Sequence, residues 1–279
     1  MSLISGKELA ASIRSATATR AAGLIAAGRA PRLAVVTATD DEATAWYVRS
    51  IAKSAGKVGI ECDVLDLGPR ATQDEITSTL AAQSANPAVH GVILQTPLPP
   101  NAYLADLAGA IDPAKDIDGA NPASLGRLVA ELPAFAPATA VAVVALLEHY
   151  GVQLIGRRAV VVGRSVVVGQ PTAQLLLAKD ATVTICHLHT RDLPAITRQA
   201  EVLVVATGHP HLIGPGDVSP GTTVIDVGTN ATPDGGLIGD VAPEVAGVEG
   251  VALTPVPGGV GPVTTAVLLS HVVAAASAM

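Results

Sequence analysis

Short β-branched runs alternate with Ala- and Leu-rich stretches along nearly the whole chain, and that alternation leaves few folds open. Candidate strands are Leu33–Thr37, Glu61–Leu67, Gly91–Gln95, Arg158–Val162, Thr182–Cys186, Val202–Ala206 and Thr223–Val227. Between them the spacing predicts helices, among them Glu42–Val58, Thr72–Ala85, Val141–Tyr150 and Pro171–Ala178. Strands separated by helices pair through crossovers, which produces parallel sheets. The expected class is therefore α/β. The pattern breaks at Pro133–Thr139, where prolines and small residues interrupt it. Thr139 then reads as the cap of a helix ending at His149-Tyr150, with Gly151 as its stop. Two lobes follow from this, joined by that helix, the second of them Rossmann-like with a parallel sheet.

Composition narrows the function. Of 279 residues 49% are hydrophobic and 15% charged, enough for a sizeable core, and aromatics at 2% leave that core to Ala, Val, Leu and Ile. A net charge of −7 lacks the basic face that a nucleic-acid partner requires. Cys62 and Cys186 show neither ligand-like nor disulfide-framework spacing, which suits a reduced, cytoplasmic setting. Lys7, Glu8, Arg14 and Arg20 break any signal-peptide core, and no stretch is read as a membrane span, so a soluble protein is expected.

The second lobe carries a cofactor signal. The strand ending at Val162 runs into Gly163-Arg164-Ser165-Val166-Val167-Val168-Gly169-Gln170-Pro171. A strand, a glycine turn and a helix start make the βα unit that cradles a pyrophosphate with backbone N–H groups and a helix N-terminus. The spacing is not Gly-x-Gly-x-x-Gly, so a plain glycine turn stands beside the cofactor reading. The next strand ends in Cys186-His187-Leu188-His189-Thr190-Arg191, with no acid to take a ribose 2′-hydroxyl. Arg164 and Ser165, with His189 or Arg191, suit a 2′-phosphate instead, so NADP is preferred over NAD. Ser165 lacks the glycine two residues on that a nucleophile elbow needs. The pairs His187/His189 and His209/His211 have no third ligand at the usual spacing, and no metal is expected.

One further segment, Thr254-Pro255-Val256-Pro257-Gly258-Gly259-Val260-Gly261-Pro262, holds three glycines and three prolines in nine residues. It reads as a rigid loop with small side chains. It closely resembles the signature loop of the bifunctional methylenetetrahydrofolate dehydrogenase/cyclohydrolase (FolD) family. Tyr47-Val48-Arg49, Gln95-Thr96-Pro97-Leu98-Pro99, Asp116-Ile117-Asp118-Gly119, Asn121-Pro122 and Gly126-Arg127-Leu128 extend the likeness. So do Gly163-Arg164-Ser165, the run Ala181 to His187, Asp226-Val227-Gly228-Thr229-Asn230 and Gly239-Asp240-Val241, so that it covers nearly the whole chain. The resemblance implies a folate-cleft domain of residues 1–138 plus 256–279 and an NAD(P)-binding domain of 139–255, with the final helix returning to the first lobe. It also implies a homodimer and a tetrahydrofolate derivative as substrate. Tyr47 would stack on the folate rings, Asp118 would accept from the pterin amino edge, and Gln95 would sit beside the reacting carbon. Pro257 and Gly258 would close the cleft, while Gly163, Arg164, Ser165, Gly169 and Thr229 would hold the nucleotide. Singly, each of Tyr47, Gln95 and Asp118 also fits an ordinary helix, strand-end or turn residue.

The family's catalytic lysine falls four residues after the tyrosine, where this chain has Ile51. At about 100° per residue Lys53 and Lys57 face away from that position, about 200° and 240° around the helix, and Arg49 faces elsewhere. Other family positions have changed too: Asp41-Glu42-Ala43-Thr44 before the tyrosine, Asn121, the segment Pro137 to Ala140, Val166 and Leu188. Hydride departure from a methylene carbon needs alignment, whereas hydration of the methenyl product needs proton transfer, which Ile51 cannot supply. The expectation is an NADP-dependent 5,10-methylenetetrahydrofolate dehydrogenase with cyclohydrolase activity lost or weak. Two alternatives remain at this point: a folate methylene or one-carbon transferase of a specialised pathway, and a non-catalytic folate- or nucleotide-binding regulator.

Overall fold

The computed structural model describes residues 2–232 and 234–279. Its elements follow in chain order. The first part runs β1 (Ser2–Leu3), α1 (Lys7–Ala26), β2 (Arg32–Thr37), α2 (Glu42–Lys57), β3 (Glu61–Asp66), α3 (Gln73–Ala85), β4 (Gly91–Leu94), α4 (Leu104–Ala108) and α5 (Pro122–Val129). Then come α6 (Ala138–His149), β5 (Arg158–Val162), α7 (Gly169–Leu177), β6 (Thr182–Cys186), α8 (Leu193–Thr197), β7 (Val202–Val205) and β8 (Thr223–Asp226). The chain ends with β9 (Asn230–Ala231), β10 (Leu237–Ile238), β11 (Ala252–Leu253) and α9 (Val260–Ala278). The seven expected strands appear within a residue or so of their predicted ends. Thr139 is no cap: α6 begins at Ala138, so the threonine lies within the helix.

Two compact units result. One comprises Ala11–Ala138 and Thr265–Met279. Its sheet has the order β3-β2-β4, all parallel, with Leu33 opposite Cys62 on one side and Gly91 on the other. Central β2 is buried after its first residue, whereas the edge strand β3 is largely exposed. Ala34, Val36, Ile76, Leu80, Val92, Leu94, Leu107 and Ile111 form one continuous core beneath α3. Thr72 and Glu75 close a reciprocal capping box at the start of α3, and Asp41 caps α2 through the Thr44 N–H.

The other unit comprises Met1–Ala10 and Thr139–Thr264. Its six strands stand in the order β1-β11-β8-β7-β5-β6, every pair parallel. From β5 the chain moves outward one way to β6 and the other way through β7 and β8. That reversal is the switch point at which open α/β sheets bind ligands beyond their carboxyl ends. The Val and Leu side chains of β5, β7 and β8 pack with Cys186, Ile213, Val241 and Val245 into the core.

The expectation that no stretch could span a membrane needs correction. Helix α9 is uncharged, 19 residues long and has a mean hydropathy of 1.5 over the best window, which meets the length and composition of a span. More than half of that window is buried inside the protein, with Val263, Leu269, Val272 and Val273 fully covered, so core packing accounts for the composition.

Candidate active site

Asp118 stands at the centre of a tightly specified corner. Just before it, Asp116 is completely buried and accepts from the N–H groups of Ala120 (3.0 Å) and Asn121 (2.9 Å). The Ile117 carbonyl lies 2.8 Å from Nδ1 of the half-buried His271 on α9, so that nitrogen carries the donating proton. Gly119 follows with φ +65, and a Cβ there would come within 2.6 Å of Pro137 N and 2.7 Å of Phe135 O. Both the backbone angle and the close approach require glycine. Three neighbouring residues are therefore fixed, and the aspartate between them is aimed.

Its surroundings are unusual for a carboxylate. Burial, reinforced by the charge of Asp116, pushes the Asp118 carboxyl up to about 7, while the Ala138 N–H at the start of α6 acts in the opposite direction. Tyr47, on α2, faces the same carboxyl and the Thr265 side chain on α9. Burial, then the Asp118 charge, raises its phenol to about 12. The structure thus brings Tyr47 and Asp118 together. Gln95 sits half-buried just beyond β4, its backbone N–H continuing the ladder to Val36 O at 2.8 Å and its amide turned to Thr96 O at 3.3 Å. The Thr44 hydroxyl, in the first turn of α2, approaches the same Thr96 carbonyl at 3.4 Å, which ties that strand end to the helix carrying Tyr47.

Ile51 is 1% exposed and belongs to the inward stripe Thr44, Val48, Ile51 and Ala55. Arg49, Lys53 and Lys57 are all exposed, as the helical spacing predicts, so no cation of α2 lies on the Ile51 face.

In the other unit, β5 turns into α7 through Gly163, at φ +142, where a Cβ would overlap the Ala206 carbonyl oxygen. The turn is pinned from both neighbouring strands, since the Gly163 N–H donates to Cys186 O and the Ala206 N–H to Val162 O, at 2.9 and 2.8 Å. Gly169 opens α7, and its N–H reaches the Ser165 hydroxyl at 3.3 Å. Arg164 and Ser165 are exposed at the mouth of this turn. Beyond β6 the Thr190 hydroxyl accepts the His187 N–H (2.9 Å), and the His187 ring accepts the His189 N–H (3.1 Å).

Thr229 is exposed in the loop after β8, and that loop is organised by two carboxylates. Asp240 accepts from Thr207 N (2.6 Å), the Thr207 hydroxyl (2.9 Å), Gly208 N (2.9 Å) and the Asn230 amide (2.8 Å). Asp226 accepts from Gly228 N (2.9 Å), Asp240 N (3.0 Å) and Val241 N (3.0 Å), and burial raises it to about 6. The ends of β7 and β8 are thereby tied to one another. Pro257 and Gly258 belong to this same unit, not to that of Tyr47 and Asp118. Gly258 O accepts the Gly6 N–H at 2.9 Å, which seats the Pro/Gly loop on the N-terminal segment.

Sequence reasoning passed over Thr265, His271, and the organising roles of Asp116, Asp226 and Asp240. Thr265 and His271 carry no signal, being polar residues in an apolar helix. The three aspartates each stand inside a motif quoted above, but the motifs do not say that backbone N–H groups satisfy them.

A glycine turn at the switch point of a parallel six-stranded sheet, joined in one chain to a separate α/β unit with a polar corner, defines a two-domain protein of the Rossmann dinucleotide-binding class. Residues 4–118 match the tetrahydrofolate dehydrogenase/cyclohydrolase catalytic domain, and residues 137–279 match the NAD(P)-binding domain of the same group. The chain belongs to the tetrahydrofolate dehydrogenase/cyclohydrolase family. It is 60% identical over 274 residues to "Bifunctional protein FolD 1" of Saccharopolyspora erythraea, covering 98% of this chain and 94% of the relative. Among solved structures, the bifunctional FolD of Campylobacter jejuni superposes with a TM-score of 0.96 at 38% identity, covering 100% of this chain and 99% of that one. The Trypanosoma brucei enzyme, complexed with NADP cofactor and inhibitor, gives a TM-score of 0.93 at 34% identity, with 99% and 97% covered.

Proposed function

We propose that this chain is an NADP-dependent 5,10-methylenetetrahydrofolate dehydrogenase whose cyclohydrolase step is lost or slow. The observation that carries the second half is the fully buried Ile51 one helical turn from Tyr47. The nucleotide turn fits a dinucleotide. Gly163 admits no Cβ, Gly169 opens a helix whose N-terminus favours a pyrophosphate, and Arg164 stands exposed beside them. When bound, NADP supplies the hydride acceptor.

The chain's own residues do the rest. Asp118, as the carboxylate, takes N–H donors from the pterin edge, and Tyr47 offers its ring to the folate. Gln95 lies at the strand end nearest the reacting carbon. Departure of hydride leaves a cation spread over two folate nitrogens and requires no base, so alignment suffices. Hydration of that cation needs a group that moves a proton, and an aliphatic side chain at position 51 moves none while keeping water out.

The division of labour follows the sequence reading, with residues 1–138 and 256–279 serving the folate and 139–255 the nucleotide. Pro257 and Gly258 are assigned to the folate on the family resemblance. A cytoplasmic homodimer completes the proposal. Its support is that neither Cys62 nor Cys186 forms a disulfide, and that the edge strand β6 is open, with Ile185 exposed.

The test is turnover of methylenetetrahydrofolate with NADP, followed both as NADPH and as the methenyl product. NADPH formation with accumulating methenyl compound is expected. Conversion to 10-formyltetrahydrofolate as fast as NADPH appears would refute the cyclohydrolase half, and the absence of NADPH would refute the whole.

A further inference from the structure

A cleft of about 610 Å³ opens at the amino-terminal ends of β5, β7 and β8. Its residues all belong to the unit that carries the glycine turn, but they stand at the opposite edge of the sheet. Arg158 begins β5 and Gly163 follows its end, which puts the two edges about 16 Å apart along the strand. Nothing in the dehydrogenase mechanism uses this second edge. Small-molecule sites usually measure about 300–1,000 Å³, so the cleft has the size for a ligand.

The lining is basic in an acidic protein. Arg157, Arg158 and Arg198 face one acid, Glu201, although the chain as a whole carries −7. That carboxylate is unevenly shared. Arg157 pairs with it directly, and Arg158 reaches it only at 4.0 Å. Among the described residues no ion pair includes Arg198, just past the end of α8. Backbone carbonyls hold these two arginines instead. Arg158 Nε donates to Gln199 O at 2.9 Å, and Arg198 Nη1 donates to Gly216 O at 3.1 Å. A guanidinium carries five N–H donors in a planar fork, so most of each fork is left over. The wall behind them is fixed as well. Buried Thr222 donates its hydroxyl to Ser219 O (2.8 Å), and the Ser219 hydroxyl donates to Arg198 O (2.7 Å). The loop before β8 and the loop carrying Arg198 are thereby joined.

Two exposed guanidiniums with spare donors, set in one cleft, ask for an anion with several oxygens. A carboxylate satisfies one fork, whereas a phosphate offers more oxygens and a second charge. Gln153 and Thr223 continue the polar lining, which suits a polar body behind the phosphate. We propose that this cleft is a second anion site, separate from the nucleotide turn, and that it takes a small polar molecule by a phosphate group held between Arg158 and Arg198. Glu201 is the built-in competitor, because its charge neutralises Arg157 and opposes the incoming phosphate. The site stands independently of the dehydrogenase reading.

The experiment is calorimetric titration of the full chain with inorganic pyrophosphate, with and without one equivalent of NADP, and with succinate as the carboxylate control. Saturable pyrophosphate binding is expected in both states. The double variant Arg158→Gln, Arg198→Gln should weaken it about 10-fold, the sum of two exposed charge contacts, and Glu201→Gln should tighten it about 3-fold. If the double variant does not fold, Arg198→Gln alone decides, since its side chain touches only a loop carbonyl. Binding that is absent or does not saturate overturns the proposal and leaves the arginines as braces for their loops. Binding indifferent to the arginine substitutions overturns it too. Binding that one equivalent of NADP abolishes places the phosphate in the glycine turn, and succinate bound as tightly as pyrophosphate rules out a phosphate site. A protein that fails to bind NADP at all would sink the dehydrogenase reading, while the arginine and Glu201 variants would still decide this one.

Discussion

Replacing Asp118 by Asn should make the protein more stable at alkaline pH while it loses its substrate, and the size of the gain follows from the buried corner. The carboxyl titrates at about 7 in the folded chain, raised first by burial and then by Asp116. In the unfolded chain an aspartate titrates at about 4, and each tenfold difference is worth about 1.4 kcal/mol. A folded value raised above the unfolded one means stability that is complete below about pH 4 and declines as pH rises to about 7. The full penalty is at most about 4 kcal/mol above pH 7. Water reaching this half-buried group reduces it, so about 2–3 kcal/mol is the working figure. The asparagine keeps an acceptor for the Ala138 N–H and removes the repulsion with Asp116. Urea unfolding of both proteins at pH 5 and pH 8 measures the effect. The variant's advantage should be larger at pH 8 than at pH 5 by about 2 kcal/mol, and Asp226, which titrates at about 6 in both proteins, cancels in the difference. The same proton competes with the pterin donors, so the wild-type folate KM should rise as pH falls below about 7. An advantage independent of pH would show that Asp118 is not held as an uncomfortable anion, and the pH dependence argued for the folate KM would go with it.

Three further substitutions probe the remaining parts. Ile51→Lys should raise methenyl hydrolysis by about 10²- to 10⁴-fold, read as formyl product, at the cost of a lower melting temperature for an ammonium placed in a buried site. Gly163→Ala should abolish NADP binding by calorimetry, because the added carbon meets the Ala206 carbonyl, whereas folate binding should persist. Asp240→Ala strips acceptors from Thr207, Gly208 and Asn230, each worth about 1–3 kcal/mol if left unpaired, so it should both melt earlier and raise the KM for NADP. An unchanged NADP KM would separate that carboxylate from the nucleotide site.

The strands and the nucleotide turn were legible because their causes are local. A β-branched run bounded by glycine, or a glycine between strand and helix, acts through backbone geometry that neighbours in sequence specify. The two-residue strands β1 and β11 offered no period to detect, and they exist because their partners hold them. Thr139 was misjudged as a cap for a related reason: α6 starts one residue earlier, where the Ala138 N–H faces Asp118, twenty residues away in sequence.

The same contrast separates the readable from the unreadable parts of the site. Tyr47 and Ile51 share a helix, so their relation follows from angular arithmetic. Asp118 gathers its character from Asp116 and Ala138, while Thr265 bonds its neighbour Tyr47 and His271 the adjoining Ile117 carbonyl, so residues far apart in the chain meet at one corner. This assembly also bears on why an isoleucine is tolerated at position 51. Tyr47, one helical turn before position 51, senses a carboxyl that rests partly protonated near neutral pH. With Ile51 in place the burial that raises Asp118 goes uncompensated, and the corner avoids a full buried charge by holding a proton. A chain with Lys at this position would instead have Asp118 ionised throughout. The folate KM of Ile51→Lys should consequently lose its dependence on pH between 6 and 8, and a profile that still bends near 7 would show that the two positions do not sense each other.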